Sequence, residues 1–575
     1  MANDKKYWKG IAQLSNEKEF VENHAAEFAE YIPVEEFIGN KGAMETSSTN
    51  RRDFLKFLGF STVAATLASC ETPVMKVIPY VNRPDDVTPG VANWYASTYF
   101  DGFDYASVLV KTREGRPIKL EGNPLSKVTM GATNARVQAS ILSLYDSNRV
   151  KGPTMKVGAA WSKKSWDEVD GLIAPKLAQS KGIAILSSTI ISPSTKAAIA
   201  EFSAKYKNVR HVTYDSISYS GMIKANLSSF GKASIPTYRF DMADVIVSLG
   251  ADFLSNWLSP MEHARQYSST RKLGKDKKAM SKHFQFESML SLTGSNADER
   301  FPVKPSQIGQ IALGILNGVG GAGSASSILP NEIAKVANAL KNAKGKALVV
   351  CGSNDAAIQL VVNEINKSIG AIGTTIDLNN SDYTHQGDDA AVKKLVEDMG
   401  SSIDTVIFYN TNPIYTAPKV FAFEAAMKKL SLTISFAGML DETAALCEFV
   451  CPDHHYLEAW NDYNPRSSHF SLQQPAIRPL FSTRHAQESL LSWSLNKVDF
   501  HSYIQKYWQE KLFTTQAVDF TSFWNSTLRD GVITIAPSVI PVAKGPVSNV
   551  NVVSTITDDG ISFSGGTLSF DEAKN

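Results

Sequence analysis

The sequence predicts an α/β protein with parallel sheets covered by helices, and with a small β-rich domain at the start of the folded body. Two observations support this fold class. From residue 182 onward, short apolar runs typical of buried strands alternate with longer runs of helical periodicity, and strands separated by helices favour parallel sheets. Before that region, two apolar runs flank residues 113–116, Arg-Glu-Gly-Arg, which is the pattern of a β-hairpin.

The alternation falls into two blocks, 182–250 and 346–437, and we expect them to form two halves that face each other. In the first block the pattern predicts a helix at 192–206 and strands at 182–186, 209–214 and 244–252. In the second block it predicts helices at 356–369, 389–399 and 419–429, and strands at 347–351, 374–378, 405–409 and 432–436. Residues 283–300 are expected to form a long loop.

Composition limits the class of protein. The 575 residues are 43% hydrophobic and 20% charged, which is typical of a globular chain with several domains and ample core. The formal net charge is +1, so the sequence lacks the excess of basic residues that is typical of proteins that bind nucleic acid. Four cysteines, at positions 70, 351, 447 and 451, are too few for a disulfide framework in an exported protein of this length.

Residues 47–70 have the features of an export signal. An apolar run at 57–68 is shorter than the roughly 20 residues that a bilayer span needs. The run follows a basic motif, and the stretch ends with Leu67-Ala68-Ser69-Cys70. The residues of the motif that we assign to export are Arg51, Arg52, Phe54, Leu55 and Lys56.

This stretch resembles a twin-arginine signal followed by a lipobox, after which Cys70 is acylated. The resemblance implies export to the periplasmic side of the bacterial inner membrane, with Cys70 as lipid anchor. The alternative is a surface helix that ends at a buried thiol.

Seven polar residues form a candidate metal site between positions 447 and 462. Thiolates and imidazoles at this spacing are suitable ligands for zinc. The alternative, which we favour, is a loop whose polar side chains serve packing. The residues concerned are Cys447, Cys451, Asp453, His454, His455, Glu458 and Asp462.

Several other residues are weak candidates. Residues 216, 218 and 220 are serines with hydroxyl groups that could act as ligands, but no pattern selects one of them. His263, His283 and His385 have no partner visible in the sequence, so we interpret each as a structural histidine rather than a catalytic base.

Several motifs in order resemble the molybdopterin oxidoreductase superfamily. They are residues 115–119 (Gly-Arg-Pro-Ile-Lys), 121–124 (Glu-Gly-Asn-Pro), 144–146 (Leu-Tyr-Asp), 410–415 (Asn-Thr-Asn-Pro-Ile-Tyr) and the region 442–480. In that family the Asn-Pro turn after the strand lies beside the pterin dinucleotide. Together with the export signal, the motifs resemble the ActB-type iron–sulfur subunit of alternative complex III.

The resemblance also indicates what this chain lacks. Active members of the superfamily carry an N-terminal iron–sulfur cluster whose last cysteine follows the position of Gly131, where this chain has Ala132-Thr133-Asn134. We therefore expect no cluster and no molybdopterin in this chain, and we assign no catalytic, cofactor-binding or metal residue. Iron–sulfur clusters are expected in a downstream ferredoxin-like domain or in a partner.

These observations predict five segments. The first three are an export-signal region at 1–70, a tether and β-rich domain at 71–150, and an α/β domain at 151–330. The last two are a second α/β block resembling the pterin-dinucleotide domain at 331–500, and a helix with a polar tail at 501–575. We expect the last segment to be truncated before a ferredoxin-like domain.

The resemblance implies a non-catalytic subunit of a membrane-bound quinol:electron-acceptor oxidoreductase. Its expected partners are haem-bearing and quinol-binding integral membrane subunits. Two alternatives stay open: a genuine molybdopterin oxidoreductase of the polysulfide or thiosulfate reductase type, and an exported scaffold lipoprotein.

The export signal makes a prediction about the mature protein. If Cys70 is acylated, intact-mass analysis of protein from membranes will find a chain that begins at Cys70 and carries the mass of several acyl chains. Cys70→Ala is expected to weaken the attachment of the protein to the membrane, because each buried methylene contributes about 0.8 kcal/mol to anchoring. An unmodified Ser69–Cys70 bond in the mature protein would contradict the prediction.

Overall fold

The computed structural model describes residues 90–274, 279–513 and 518–535, together with the backbone of two short paired strands, Thr555–Thr557 and Gly560–Ser562. These residues belong to one compact unit that spans Pro84–Asn575. The predicted export signal with Cys70, and the tether that follows it, lie outside the described residues. No helix in the described part of the chain is long and apolar enough to cross a membrane.

The β-rich domain at the start of the body is a three-stranded antiparallel sheet of Ala92–Phe100, Tyr105–Arg113 and Arg116–Gly122. The predicted hairpin is confirmed, because Arg113 pairs with Arg116 across a two-residue turn. Glu114 and Gly115 have φ values of 52° and 75°, as a type I′ turn requires. A short helix, Ala135–Ala139, and a 3₁₀ helix, Ser140–Tyr145, follow the sheet.

The largest sheet has seven strands. Its order is Ala160–Lys163, Thr154–Val157, Phe449–Val450, Leu432–Ser435, Thr405–Tyr409, Ile183–Ser187 and Val209–Thr213. The last five are parallel to one another, and the first two form an antiparallel hairpin at the edge. The associated helices are Trp166–Gln179, Pro193–Lys205, Asp389–Asp398, Pro413–Thr416, Phe423–Met427 and Ala486–Trp493.

Helices cover both faces of this sheet, which explains why its strands are apolar without alternation. Ile183 and Ile185 pack into one hydrophobic cluster with the helix Trp166–Gln179. Ala184 and Leu186, which point to the other face, pack into a second cluster with the helix Asp389–Asp398.

A four-stranded parallel sheet has the order Glu299–Pro302, Lys282–Glu287, Val245–Leu249 and Ala347–Cys351. Its helices are Ser220–Phe230, Pro260–Arg271, Leu292–Ser295, Ile308–Gly318, Pro330–Asn342 and Ala356–Ser368.

The expected long loop at 283–300 is wrong, because this region contributes two strands to that sheet. The alternate residues His283, Gln285 and Glu287 of the strand Lys282–Glu287 are polar, and their side chains are buried with hydrogen-bond partners. The His283 ring is hydrogen-bonded to the Tyr267 hydroxyl at 3.1 Å, and Gln285 donates to Glu287 at 3.0 Å. Because the segment is rich in polar residues, its sequence did not indicate that it forms a central strand.

A five-stranded antiparallel sheet has the order Val532–Thr534, His469–Gln473, Asn461–Arg466, Ile376–Asp382 and Ile235–Tyr238. Two helices, Phe500–Lys511 and Phe520–Asp530, lie against it through a cluster that contains Trp508 and Trp524. The segment expected as a helix with a polar tail thus supplies two helices and an edge strand before residue 535.

The two sequence blocks do not form separate halves. The seven-stranded sheet pairs Ile183–Ser187 from the first block with Thr405–Tyr409 from the second, and the four-stranded sheet pairs Val245–Leu249 with Ala347–Cys351. The expected division at residues 330 and 331 therefore does not separate the sheets. Periodicity identifies buried strands, but it contains no information about which strands pair.

Individual elements follow the sequence more closely. The strands predicted at 347–351 and 405–409 are confirmed at both ends. The helix predicted at 419–429 is instead a 3₁₀ turn and a short helix, interrupted at Ala422, where φ is 49°.

Gly122, within the Glu-Gly-Asn-Pro motif, packs directly against another backbone segment. A Cβ atom at Gly122 would lie 2.1 Å from the carbonyl oxygen of Gly131. Gly122→Ala is therefore expected to lower the free energy of unfolding by about 1–3 kcal/mol, as overpacking does. Urea denaturation measures the change.

Gly171 is the matched control. It lies inside the helix Trp166–Gln179, and its Cβ position has open space. Gly171→Ala is expected to be neutral or to stabilise by up to about 1 kcal/mol, because Ala favours the helix. Equal effects at the two positions would contradict the packing argument.

Candidate functional site

A cavity of about 580 Å³ lies at the carboxyl ends of three neighbouring parallel strands of the seven-stranded sheet. Residues 408–412 include the end of one strand and the loop after it, residues 435–439 do the same for the next strand, and residues 453–456 come after Phe449–Val450. Open α/β sheets bind ligands at this edge, because the loops there diverge to form a crevice. The position makes the cavity the strongest candidate for a functional site among the described residues.

The sheet also has a topological switch point beside the cavity, between Ile183–Ser187 and Thr405–Tyr409, from which the chain proceeds in opposite directions. The loop at Asp101 and Gly102 lies over this point. Asn410 donates from Nδ2 to the Asp101 carbonyl at 3.1 Å and to Ser188 Oγ at 3.0 Å. A Cβ atom on Gly102 would lie 2.7 Å from Ser188 Oγ, so the loop closely approaches the sheet edge.

A buried ion pair supports one wall of the cavity. Arg149 donates to both carboxylate oxygens of Glu458, at 3.0 and 2.6 Å, and to the carbonyl oxygen of Leu144 at 2.9 Å. Glu458 also accepts from the backbone of His455 and Leu480. Burial alone would raise the pKa of Glu458, but the Arg149 guanidinium and the backbone N–H groups of Leu480 and His455 together outweigh burial, so the pKa lies below its usual value.

A carboxylate and two imidazoles form another part of the wall. Asp453 accepts from the backbone of His454 and Ala486, and burial raises its pKa to about 6. The rings of His454 and His485 meet at right angles, 4.5 Å apart. Burial, with a smaller contribution from His485, lowers the pKa of His454 to about 4, so this ring is neutral at physiological pH.

His455 is fixed in a neutral form by its two hydrogen bonds. Its Nδ1 accepts from the backbone of Leu457 at 3.3 Å, so the proton is on Nε2, which lies 2.9 Å from Ser143 Oγ. Burial and then Arg149 lower the pKa of His455 to about 4. The ring therefore contributes polarity to the cavity but no positive charge near neutral pH.

The predicted Asn-Thr-Asn turn lies on the cavity, as Asn410, Thr411 and Asn412. Asn412 accepts from the hydroxyl and backbone of Thr443, at 2.7 and 3.2 Å, and donates to Glu442 at 2.7 Å. The turn is thus tied to the segment that begins the 442–480 motif.

The candidate metal residues do not converge on one point. Cys447 and Cys451 are fully buried in two different hydrophobic clusters, and burial raises the pKa of each thiol. Asp462 accepts from Ser192, Ser194 and Trp508. Across residues 90–274, 279–513 and 518–535, no group of three or more His, Cys, Asp or Glu side chains could hold a metal ion.

The other candidates lie away from the cavity lining. Among the described residues that line it, none is one of the serines 216, 218 and 220. His263, His283 and His385 are buried, and burial lowers the pKa of His263 to about 3 and that of His283 to about 4.

Several residues that line the cavity have no signal in the sequence. Tyr99 and Asp101 come from the first hairpin, where the Tyr99 hydroxyl donates to the Asp101 carboxylate at 2.7 Å. His485 accepts from the Trp460 backbone at 3.2 Å and lies 3.4 Å from Glu488. Their sequence neighbourhoods contain no motif, and they reach the site through tertiary packing alone.

Comparisons with known proteins agree with this fold. The chain is 24% identical over 507 residues, 77% of its length and 71% of the relative's, to the menaquinone reductase molybdopterin-binding-like subunit of Nitratidesulfovibrio vulgaris. It is 23% identical over 291 residues to the molybdopterin-containing subunit ArrA of the arsenate respiratory reductase of Shewanella sp., matching 46% of this chain and 32% of that protein. No protein-family model matches the chain.

The chain is therefore similar to two proteins whose names include molybdopterin. Its fold is similar to that of acetylene hydratase from Pelobacter acetylenicus, with a TM-score of 0.58 at 12% identity over 77% of this chain and 74% of the hydratase. The mixed α/β fold with parallel sheets covered by helices is therefore confirmed. The fit of molybdopterin to this chain depends on the charges that line the cavity.

The cavity is poorly suited to the pyrophosphate of a pterin dinucleotide. Its described lining includes the carboxylates of Asp101, Asp441 and Asp453. The Arg149 guanidinium, which also lines it, is already paired with Glu458. A pyrophosphate would therefore lie near several like charges without a free cation, which is electrostatically unfavourable at low local dielectric.

The Arg149–Glu458 pair makes a testable prediction. Arg149→Met leaves the Glu458 carboxylate buried without its cation, so the free energy of unfolding should fall by about 3–5 kcal/mol. Adding Glu458→Gln removes the uncompensated charge and should recover a large part of the loss. Urea denaturation of the two variants measures both effects.

Lys428→Met is the control, because Lys428 forms an exposed pair with Glu424 one helical turn away. Its loss should cost no more than about 0.5 kcal/mol. If Arg149→Met is as mild as the control, the buried pair does not support the cavity wall.

Proposed function

We propose that this chain is a non-catalytic, molybdopterin oxidoreductase-like subunit of a membrane-bound quinol:electron-acceptor oxidoreductase of the alternative complex III type. In this proposal it organises electron-transfer partners on the periplasmic side of the inner membrane. Haem-bearing and quinol-binding integral membrane subunits are the expected partners, and iron–sulfur clusters reside in a ferredoxin-like domain or in a partner.

The observation that carries the proposal is the similarity to the menaquinone reductase subunit along 77% of the chain. That relative is named as a molybdopterin-binding-like subunit of a menaquinone reductase, which supports a place for this chain in a quinone-linked complex. Quinone chemistry takes place in a membrane, so a subunit of such a complex needs membrane partners or an anchor, and the export motif with Cys70 supplies the anchor.

The chemistry of the described residues supports the absence of a cluster and a pterin from this chain. Where active superfamily members have the last cluster cysteine, the chain has Ala132-Thr133-Asn134, and neither Ala132 nor its neighbours can supply a thiolate. The cavity at the carboxyl ends of the strands has carboxylates where a dinucleotide would need cations.

A second candidate is a genuine molybdopterin oxidoreductase of the polysulfide or thiosulfate reductase type. The similarity to the molybdopterin-containing subunit of the arsenate respiratory reductase favours it. In that case the phosphates of the pterin would need cations from a partner or from chain segments outside the described residues.

Isolation of the tagged protein from native membranes in mild detergent distinguishes the two functions. We expect haem-containing membrane subunits to co-purify, together with quinol:acceptor activity and without stoichiometric molybdenum. Molybdenum is measured by elemental analysis, and pterin by the fluorescence of its oxidised form. One molybdenum and pterin per chain would overturn the proposal in favour of the second candidate, and recovery as a lone monomer would favour a scaffold lipoprotein.

A further inference from the structure

The ionisable groups around the cavity determine the sign of the charge that it can accommodate. Asp101 accepts hydrogen bonds from the backbone of Phe103 and Asp104 at 2.8 and 2.7 Å, which fixes its carboxylate near the switch point. Asp441 and Asp453 come from the loops after two adjacent strands, and each accepts a backbone hydrogen bond. Three carboxylates from three separate loops therefore surround one cavity.

The positive groups in the described lining do not offset these carboxylates. Arg149 is 5% exposed, and Glu458, at 0%, neutralises it at a closest distance of 2.6 Å. Burial lowers the pKa of His454 and of His455, so both rings are neutral. The third imidazole, His485, accepts a backbone hydrogen bond at Nε2, and its Nδ1 lies 3.4 Å from Glu488. Burial raises the pKa of Asp441 and raises that of Asp453 to about 6, which still leaves Asp453 mostly ionised near neutral pH. The cavity therefore has a negative balance of charge there.

Aromatic rings supply the other requirement for a cation site. Tyr99 and Tyr456 meet edge to face with centroids 5.1 Å apart, and Tyr463, Trp460 and Phe436 also line the cavity. The faces of such rings attract cations, most strongly where water is excluded. A volume of about 580 Å³ is much larger than a bare metal ion requires, and it suits an organic molecule.

We propose that this cavity binds an organic cation, an ammonium or guanidinium group held by Asp441 and Asp453 among aromatic rings. The cation has two possible sources: a small free amine, or a lysine or arginine side chain of a partner subunit. Both present the same chemistry, namely a positive charge with several N–H donors. The inference goes beyond the proposed function, which concerns assembly and pterin content.

Calorimetric titration of the full chain tests the proposal, with agmatine as the cationic probe and pyrophosphate as the anionic one. We expect agmatine to bind and pyrophosphate to give no saturable heat. Asp441→Asn and Asp453→Asn should each weaken agmatine binding about tenfold or more, because each removes a charge but keeps an oxygen acceptor. Thermal unfolding of the same samples verifies that each variant is folded.

Asp404→Asn is the matched control. Asp404 precedes the strand Thr405–Tyr409, at the opposite end of the strand from the cavity, and it accepts from the Lys181 backbone. Its substitution should leave agmatine binding unchanged. Equal weakening in all three variants, no binding of agmatine by the full chain, or tighter binding of pyrophosphate than of agmatine would each overturn the proposal.

The same titration on the purified complex distinguishes the two sources of the cation. If agmatine binds both the chain and the complex, the ligand is a free amine; if it binds the chain but not the complex, a partner side chain fills the cavity. Molybdenum and pterin are measured on the same samples. Their presence contradicts the proposed function, whereas pterin-free protein that does not bind agmatine contradicts only this inference.

Discussion

The buried ion pair of Arg149 and Glu458 connects the parts of this molecule that form its cavity. Arg149 follows the β-rich domain, and Glu458 lies 309 residues later, after the last parallel strand of the seven-stranded sheet. Two charges with so little access to water are tolerable only because each satisfies the other and both have further backbone partners. The pair therefore fixes the position of the first domain relative to the sheet edge. The loop with His454 and His455 contacts both sides, because His455 is hydrogen-bonded to Ser143 and to Glu458.

Chain topology explains why the cavity is where it is. The parallel sheet opens at the carboxyl ends of its strands, and the hairpin loop at Asp101 and Gly102 covers the switch point itself. The cavity consequently lies beside the switch point, at the ends of the strands Thr405–Tyr409, Leu432–Ser435 and Phe449–Val450. The Asn410–Asn412 turn and the Asp453–Tyr456 loop both line it. The fold is similar to that of acetylene hydratase, and in this chain the described lining of the cavity includes the carboxylates of Asp101, Asp441 and Asp453.

This charge pattern connects the fold to the proposed role. The two sequence relatives are named for molybdopterin, and the fold is similar to that of acetylene hydratase, but the described lining of the cavity provides carboxylates and neutral imidazoles. Fold alone does not establish function, because function depends on the residues of a site. The proposed architectural role requires the fold, but it does not require a cavity that matches a cofactor.

The sequence by itself determined the local elements. The hairpin at 113–116 and the strands at 347–351 and 405–409 follow from turn chemistry and apolar runs, and the motif residues Asn410 and Asp453 do lie on the cavity. Tertiary structure decided which strands pair, made 282–287 a central strand despite its polar residues, and brought Tyr99, Asp101 and His485 to the site. The physical reason is that periodicity reports burial within one segment, whereas strand pairing and the charge of a cavity depend on contacts between segments hundreds of residues apart.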